Sequence, residues 1–108
     1  MFDFEKLEVY KKAKLFNAEI RNFISSNRLD PTTKDQLRRA SFSIVLNLAE
    51  GSGRFSKPDR RNFFVFSGSS IFKCLAILVI LKDEDSLLLI YFSHFMVKLT
   101  NSRESFIQ

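Results

Sequence analysis

The chain has no tryptophan, one cysteine, one histidine, two prolines and three glycines among its 108 residues. A lone cysteine, Cys74, excludes an intrachain disulfide. Its neighbours Leu75 and Ala76 place it in an apolar run, so it reads as a buried thiol; reactive thiols sit in exposed, electropositive places. So few glycines and prolines argue against a protein of many short strands, which needs turn residues roughly every 8–12 positions. The one histidine, His94, stands in an apolar stretch with no cysteine or carboxylate near it in sequence. No spacing of His, Cys, Asp or Glu resembles a metal site. The residues thus point to no enzyme, no cofactor and no metal.

What is present points to long helices. Hydrophobic residues make up 45% of the chain, enough for one compact domain spanning residues 1–108. Thirteen phenylalanines carry no polar handle, so most must be buried in a core or against another chain. Seventeen basic residues against twelve acidic ones give a net charge of +5, which favours acidic partners such as nucleic acid. The opening Met1-Phe2-Asp3-Phe4-Glu5 lacks the basic and then apolar pattern of a signal peptide, so a bacterial-type cytoplasm is the expected compartment.

Four segments divide the chain. From about Phe4 to Ser26, Val9, Ala13, Phe16, Ile20 and Phe23 recur at helical spacing, with Asp3 as N-cap. The second segment opens at Asp30-Pro31, an N-cap followed by proline at the first helical position. It presents a narrow stripe of Leu37, Ser41, Ile44 and Leu48 and stops at Gly51-Ser52-Gly53, where glycine can adopt the left-handed conformation that closes a helix. Ser56, with Asp59 three residues on, forms a capping-box variant for the third segment. From Asn62 to Leu81 that segment is apolar almost all round. The fourth runs from about Ser86 to Arg103, with Leu87, Tyr91, His94 and Lys98 on its inner side.

Four such helices joined by short connections predict an all-α, antiparallel up-down four-helix bundle. A helix that is apolar on every side must be buried on every side, and a lone bundle covers only one. Lipid is the poorer cover, because Lys73 falls mid-segment and a cation at the bilayer centre costs at least ~2.5 kcal/mol. No membrane partner is therefore expected, and self-association into a homo-oligomer is.

Basic residues concentrate between positions 38 and 61: Arg38, Arg39, Arg54, Lys57, Arg60 and Arg61, opposed only by Glu50 and Asp59, +4 of the chain's +5. The bend between the second and third helices is expected to bring both arginine pairs to one end of the bundle, where guanidinium forks suit phosphate oxygens. The alternative is a solvated helix end with local pairs such as Glu50 with Arg54. No aromatic interleaving marks a single-strand groove in this window. A polar stripe, Arg39, Ser43, Asn47, Glu50 and Arg54, runs along the second helix. Ser43, Asn47 and Glu50 read as a hydrogen-bonded network at a subunit contact, or as the solvent face. Gly51-Ser52-Gly53 is too short for a phosphate-cradling loop and lacks a preceding strand.

These residues also carry a family resemblance. Phe4-Glu5-Lys6-Leu7-Glu8-Val9-Tyr10-Lys11-Lys12-Ala13 resembles the opening of the bacterial 23S rRNA intervening-sequence proteins. Gln36-Leu37-Arg38-Arg39-Ala40-Ser41-Phe42-Ser43-Ile44 through Asn47-Leu48-Ala49-Glu50-Gly51-Ser52-Gly53-Arg54 resembles the family's central motif. Ser56-Lys57, Arg61-Asn62-Phe63-Phe64 and Gly68-Ser69 are similar to its third helix. The chain departs at Val45, where the family usually has proline, and at Ile71-Phe72-Lys73-Cys74, which replaces an acidic pattern. The resemblance, extending to the accessory variability determinant of diversity-generating retroelements, implies a homopentamer of up-down bundles. It also implies RNA or DNA binding and a protein partner such as a reverse transcriptase. By position, Arg38, Arg39, Arg54 and Lys57 would contact nucleic acid; Arg60 and Arg61 join them on charge alone. The competing expectation is a scaffold that docks a nucleic-acid enzyme without touching nucleic acid itself.

Overall fold

A computed structural model of the chain describes residues 4–84 and Val97. The fold is all-α, with three helices and no strand among the described residues: α1 over Glu8–Ser26, α2 over Pro31–Ser52 and α3 over Lys57–Glu84. The fourth segment, expected from Ser86 to Arg103 and including His94, lies outside the described residues apart from Val97, which is helical and exposed. Asp3 lies outside them too.

The first helix starts later than its periodicity implies. Phe4–Lys6 form a single 3-10 turn, and Leu7 breaks the helix in an extended conformation with no side-chain cap. Two apolar contacts accompany the break. Phe4 packs edge-on against Tyr10, ring centroids 4.9 Å apart, and Leu7 is half-buried beside the end of α2. From there Ala13, Phe16, Ile20 and Phe23 are buried as their spacing predicts. Asn27 closes the helix by donating from Nδ2 to the Phe23 carbonyl at 2.9 Å, satisfying one of the orphan acceptors of the last turn.

Asp30 caps α2 as expected. Its Oδ1 accepts from the Thr33 N–H at 3.0 Å, and Pro31 occupies the first turn. Hydrogen bonding by the Thr33 side chain, and then by its backbone, holds the Asp30 carboxyl below its usual pKa. The buried face of α2 is wider than the narrow stripe expected: Ala40, Val45, Gly51 and Ser52 join Leu37, Ser41, Ile44 and Leu48. The reason is position, because α2 packs against α1 on one side and α3 on the other. With valine in place of proline at 45, every backbone N–H can join the helix ladder, and α2 runs unbroken through that position.

Gly51 does not end α2. The helix continues through Ser52, and the C-cap Gly53 is right-handed, with φ −87°. Gly51 serves a close approach instead: a Cβ there would lie 2.9 Å from Phe63 Cβ and 2.9 Å from Phe64 Cε1. That contact, with Ser67 on Ile44 and Ser70 on Ser43, sets α2 and α3 antiparallel. Ser67 is fully buried and its hydroxyl donates to the Ile44 carbonyl at 2.9 Å. Small residues at 51, 67 and 70 let the two backbones come together.

The third helix carries two stripes. Ser67, Ile71, Cys74, Leu78 and Leu81 are buried in the core. Val65, Ser69, Phe72, Ala76 and Val79 repeat the same four-three spacing on another face and are exposed. Phe66 and Ile80 flank this outer stripe with relative exposures of 52% and 56%. By length and composition Lys57–Lys82 is apolar enough to cross a membrane, with 28% of its apolar window buried.

Candidate functional site

The basic residues fall into two groups rather than one. Arg38 and Arg39 lie early in α2, and the helix continues to Ser52, about 20 Å further at 1.5 Å per residue. The expectation that the bend would gather both arginine pairs at one end is therefore corrected. The helical rise between Arg39 and the turn keeps them apart. Asp35 serves both arginines, with Arg38 Nη2 at 2.9 Å and Arg39 Nε at 3.0 Å, so half of this pair's charge is neutralised locally.

The second group surrounds the turn between α2 and α3. Arg54 Nη2 pairs with Glu50 Oε2 at 3.0 Å, the local pair anticipated at this spacing, while its guanidinium lies 4.5 Å from the Phe63 ring centroid. Exposed pairs of this kind contribute about 0–1 kcal/mol, so they orient Arg54 more than they stabilise the fold. Arg60 reaches back across the turn, and its Nη1 donates to the carbonyls of Arg54 at 3.0 Å and Phe55 at 2.9 Å. Ser56 Oγ accepts from the Asp59 N–H at 3.2 Å and caps α3. Lys57 and Arg61 are exposed on the first turns of α3, and neither pairs with a described residue. Four cations therefore converge on one turn against two carboxylates, Glu50 and Asp59.

The polar stripe on α2 also divides. Asn47 Nδ2 donates to the Ser43 carbonyl and hydroxyl, both at 2.9 Å, and Ser70 Oγ donates to Ser43 Oγ at 2.9 Å. This half-buried network joins α2 to α3 within one chain. Glu50 is not a member; it faces solvent with Arg54. Ser41 makes the equivalent link to α1, donating to Asn17 Oδ1 at 3.0 Å. Ser70, Ser67 and Asn17 had no signal in the sequence beyond being small or polar at helical spacing.

Phe55, between Arg54 and Ser56, is 102% exposed at the tip of the turn, so an aromatic does stand inside the basic window. Its place outside every helical stripe was the available signal. Beside it lies a cleft of ≈ 690 Å³ lined by Leu7, Ser52, Arg54, Arg60 and Phe64.

Among the described residues no group of three or more His, Cys, Asp or Glu is arranged to hold a metal. Cys74 is fully buried, and burial pushes its thiol up to about 12, against a small opposing effect of Lys73. The family model described as 23S rRNA-intervening sequence protein matches residues 5–104. No curated protein and no solved structure matches the chain.

Proposed function

The chain belongs to the 23S rRNA-intervening sequence protein family, and from that premise we propose that it is a non-enzymatic, homo-oligomeric protein that binds RNA or DNA electrostatically through the turn between α2 and α3. The observation that carries this reading is the convergence of Arg54, Lys57, Arg60 and Arg61 on that turn, with Lys57 and Arg61 exposed and without a described partner. Such charges attract phosphates without reading sequence. Arg38 and Arg39, sharing Asp35, are secondary contacts.

The oligomer rests on the outer stripe of α3. Its four-three spacing is that of a helix–helix seam. Completing the burial of its large side chains and the flanking Phe66 and Ile80 stabilises an assembly by on the order of 5 kcal/mol per chain. Lys73 is exposed on the same helix, so a protein neighbour with water at the rim suits this face better than lipid. The full arrangement in this reading is a cytoplasmic homopentamer of four-helix bundles, the segment from Ser86 to Arg103 supplying the fourth helix. A second reading, a scaffold that docks a nucleic-acid enzyme such as a reverse transcriptase, draws on the pairing of Arg38, Arg39 and Arg54 with carboxylates.

A filter-binding titration with structured RNA at two salt concentrations tests the reading. The wild type should bind at low salt and lose affinity steeply as salt rises. The double variant Lys57→Ala/Arg61→Ala should bind more weakly, with a salt slope shallower by about 0.9 per lost phosphate contact. Unchanged binding by the double variant would refute the assignment of the turn. No binding by the wild type at low salt would leave the scaffold.

A further inference from the structure

We infer that Phe55 is a stacking platform for an unpaired nucleobase, so that the turn prefers single-stranded nucleic acid to duplex; this rests on the nucleic-acid reading above. Exposed apolar residues are common singly, but Phe55 differs from Leu15, Phe42 and Leu46 in two respects. It lies on no helix and is fully exposed. Its backbone is also held by a specific device, because the Arg60 guanidinium ties the carbonyls of residues 54 and 55 together. Ser56 and Asp59 fix the chain immediately after it. The ring is thus presented from an ordered turn, which lowers the entropy lost when a partner stacks on it.

Charge complementarity selects the partner. Arg54, Lys57, Arg60 and Arg61 all lie within six residues of the ring, so an anionic chain passing the tip places its phosphates on cations and one base on Phe55. In a duplex the base faces are already stacked and cannot reach it. The cleft beside Phe55, with the apolar walls Leu7 and Phe64 and the guanidinium groups of Arg54 and Arg60, gives the neighbouring nucleotide a place to lie. Base–aromatic stacking tolerates any base, because every base has a π-face. The preference is therefore for strandedness rather than sequence. Arg60 is a positioning residue here: its Nη1 alone donates to both carbonyls, so removing that donor frees the backbone beneath the ring.

Fluorescence anisotropy on the full chain tests this with three probes of equal phosphate number at fixed salt: a single-stranded oligonucleotide, a duplex and an abasic single strand. The wild type should favour the base-bearing single strand. Phe55→Ala should weaken that probe about 5- to 100-fold and leave the duplex and abasic probes unchanged, while Phe55→Tyr retains the preference. Arg60→Met, which removes the donor, should weaken all three probes through its lost charge and reduce the single-strand preference as well. Circular dichroism checks that each variant keeps wild-type helicity. Equal wild-type affinity for the three probes, or an unaltered preference in Phe55→Ala, overturns the inference and leaves the electrostatic reading standing. No binding of any probe at low salt overturns both. Polyglutamate binding that depends on Phe55, with nucleic-acid binding that does not, would assign the tip to an acidic protein and overturn the inference.

Discussion

Replacing Gly51 by alanine probes the contact that sets α2 against α3. The added methyl would lie 2.9 Å from Phe63 Cβ and 2.9 Å from Phe64 Cε1. Carbon atoms pack comfortably at about 3.5–4.0 Å, so the overlap is ~0.6 Å or more. The Phe64 ring can turn aside, but Phe63 Cβ is bonded to the α3 backbone, so the helix itself must shift. Overpacking of this kind costs about 1–3 kcal/mol. Alanine's better helix propensity offsets about 0.5–1 kcal/mol of that. Gly51→Ala is therefore expected to destabilise the chain by roughly 0.5–2 kcal/mol, lowering Tm by several degrees at about 4–8 °C per kcal/mol. Gly68→Ala is the control: nothing lies within 4 Å of a Cβ at that position in α3. Propensity alone then acts, and a gain of about 0.5–1 kcal/mol is expected. Urea denaturation followed by circular dichroism, at equal chain concentration because association shifts midpoints, separates the two. A Gly51→Ala protein as stable as Gly68→Ala would refute the proposed close approach.

Two further outcomes follow from single side chains. Cys74, fully buried with its thiol pushed up to about 12, should resist a thiol reagent at neutral pH in the native protein and react once per chain in denaturant; rapid native labelling would contradict its placement. Asp30 has its pKa lowered by Thr33, so its contribution to stability is present above the ordinary carboxylate value and lost as pH falls through the lowered one. Denaturation of Asp30→Ala across the acid range should accordingly show a deficit at neutral pH that closes on acidification, and a pH-independent deficit would sink the capping account.

Local signals in the sequence were legible where one helix face or one cap decides the outcome. The buried stripe of α1 and the Asp30-Pro31 start of α2 follow from spacing and backbone chemistry alone. Family membership was legible too, and the matching family model covers residues 5–104; the close approach at Gly51 was not, because the sequence alone reads that glycine as a helix stop. What failed depended on neighbours. The Leu7 break accompanies contacts of Phe4 with Tyr10 and of Leu7 with the end of α2, and Gly51 is packed against Phe63 and Phe64 of α3; periodicity contains neither. The distance between the arginine pairs follows from the rise of a helix alone, which a bend at one end does not shorten. Phe55 is the exception to the burial expected of phenylalanine, because it stands in a turn rather than on a helix face.

Whether sister subunits cover Val65, Phe66, Phe72, Val79 and Ile80 is decided most directly by the mass of the purified protein in solution. Light scattering at micromolar concentration, without detergent, should return a multiple of the 12.6 kDa chain, five-fold for the pentamer. A single 12.6 kDa species would contradict it and leave the outer stripe of α3 facing water.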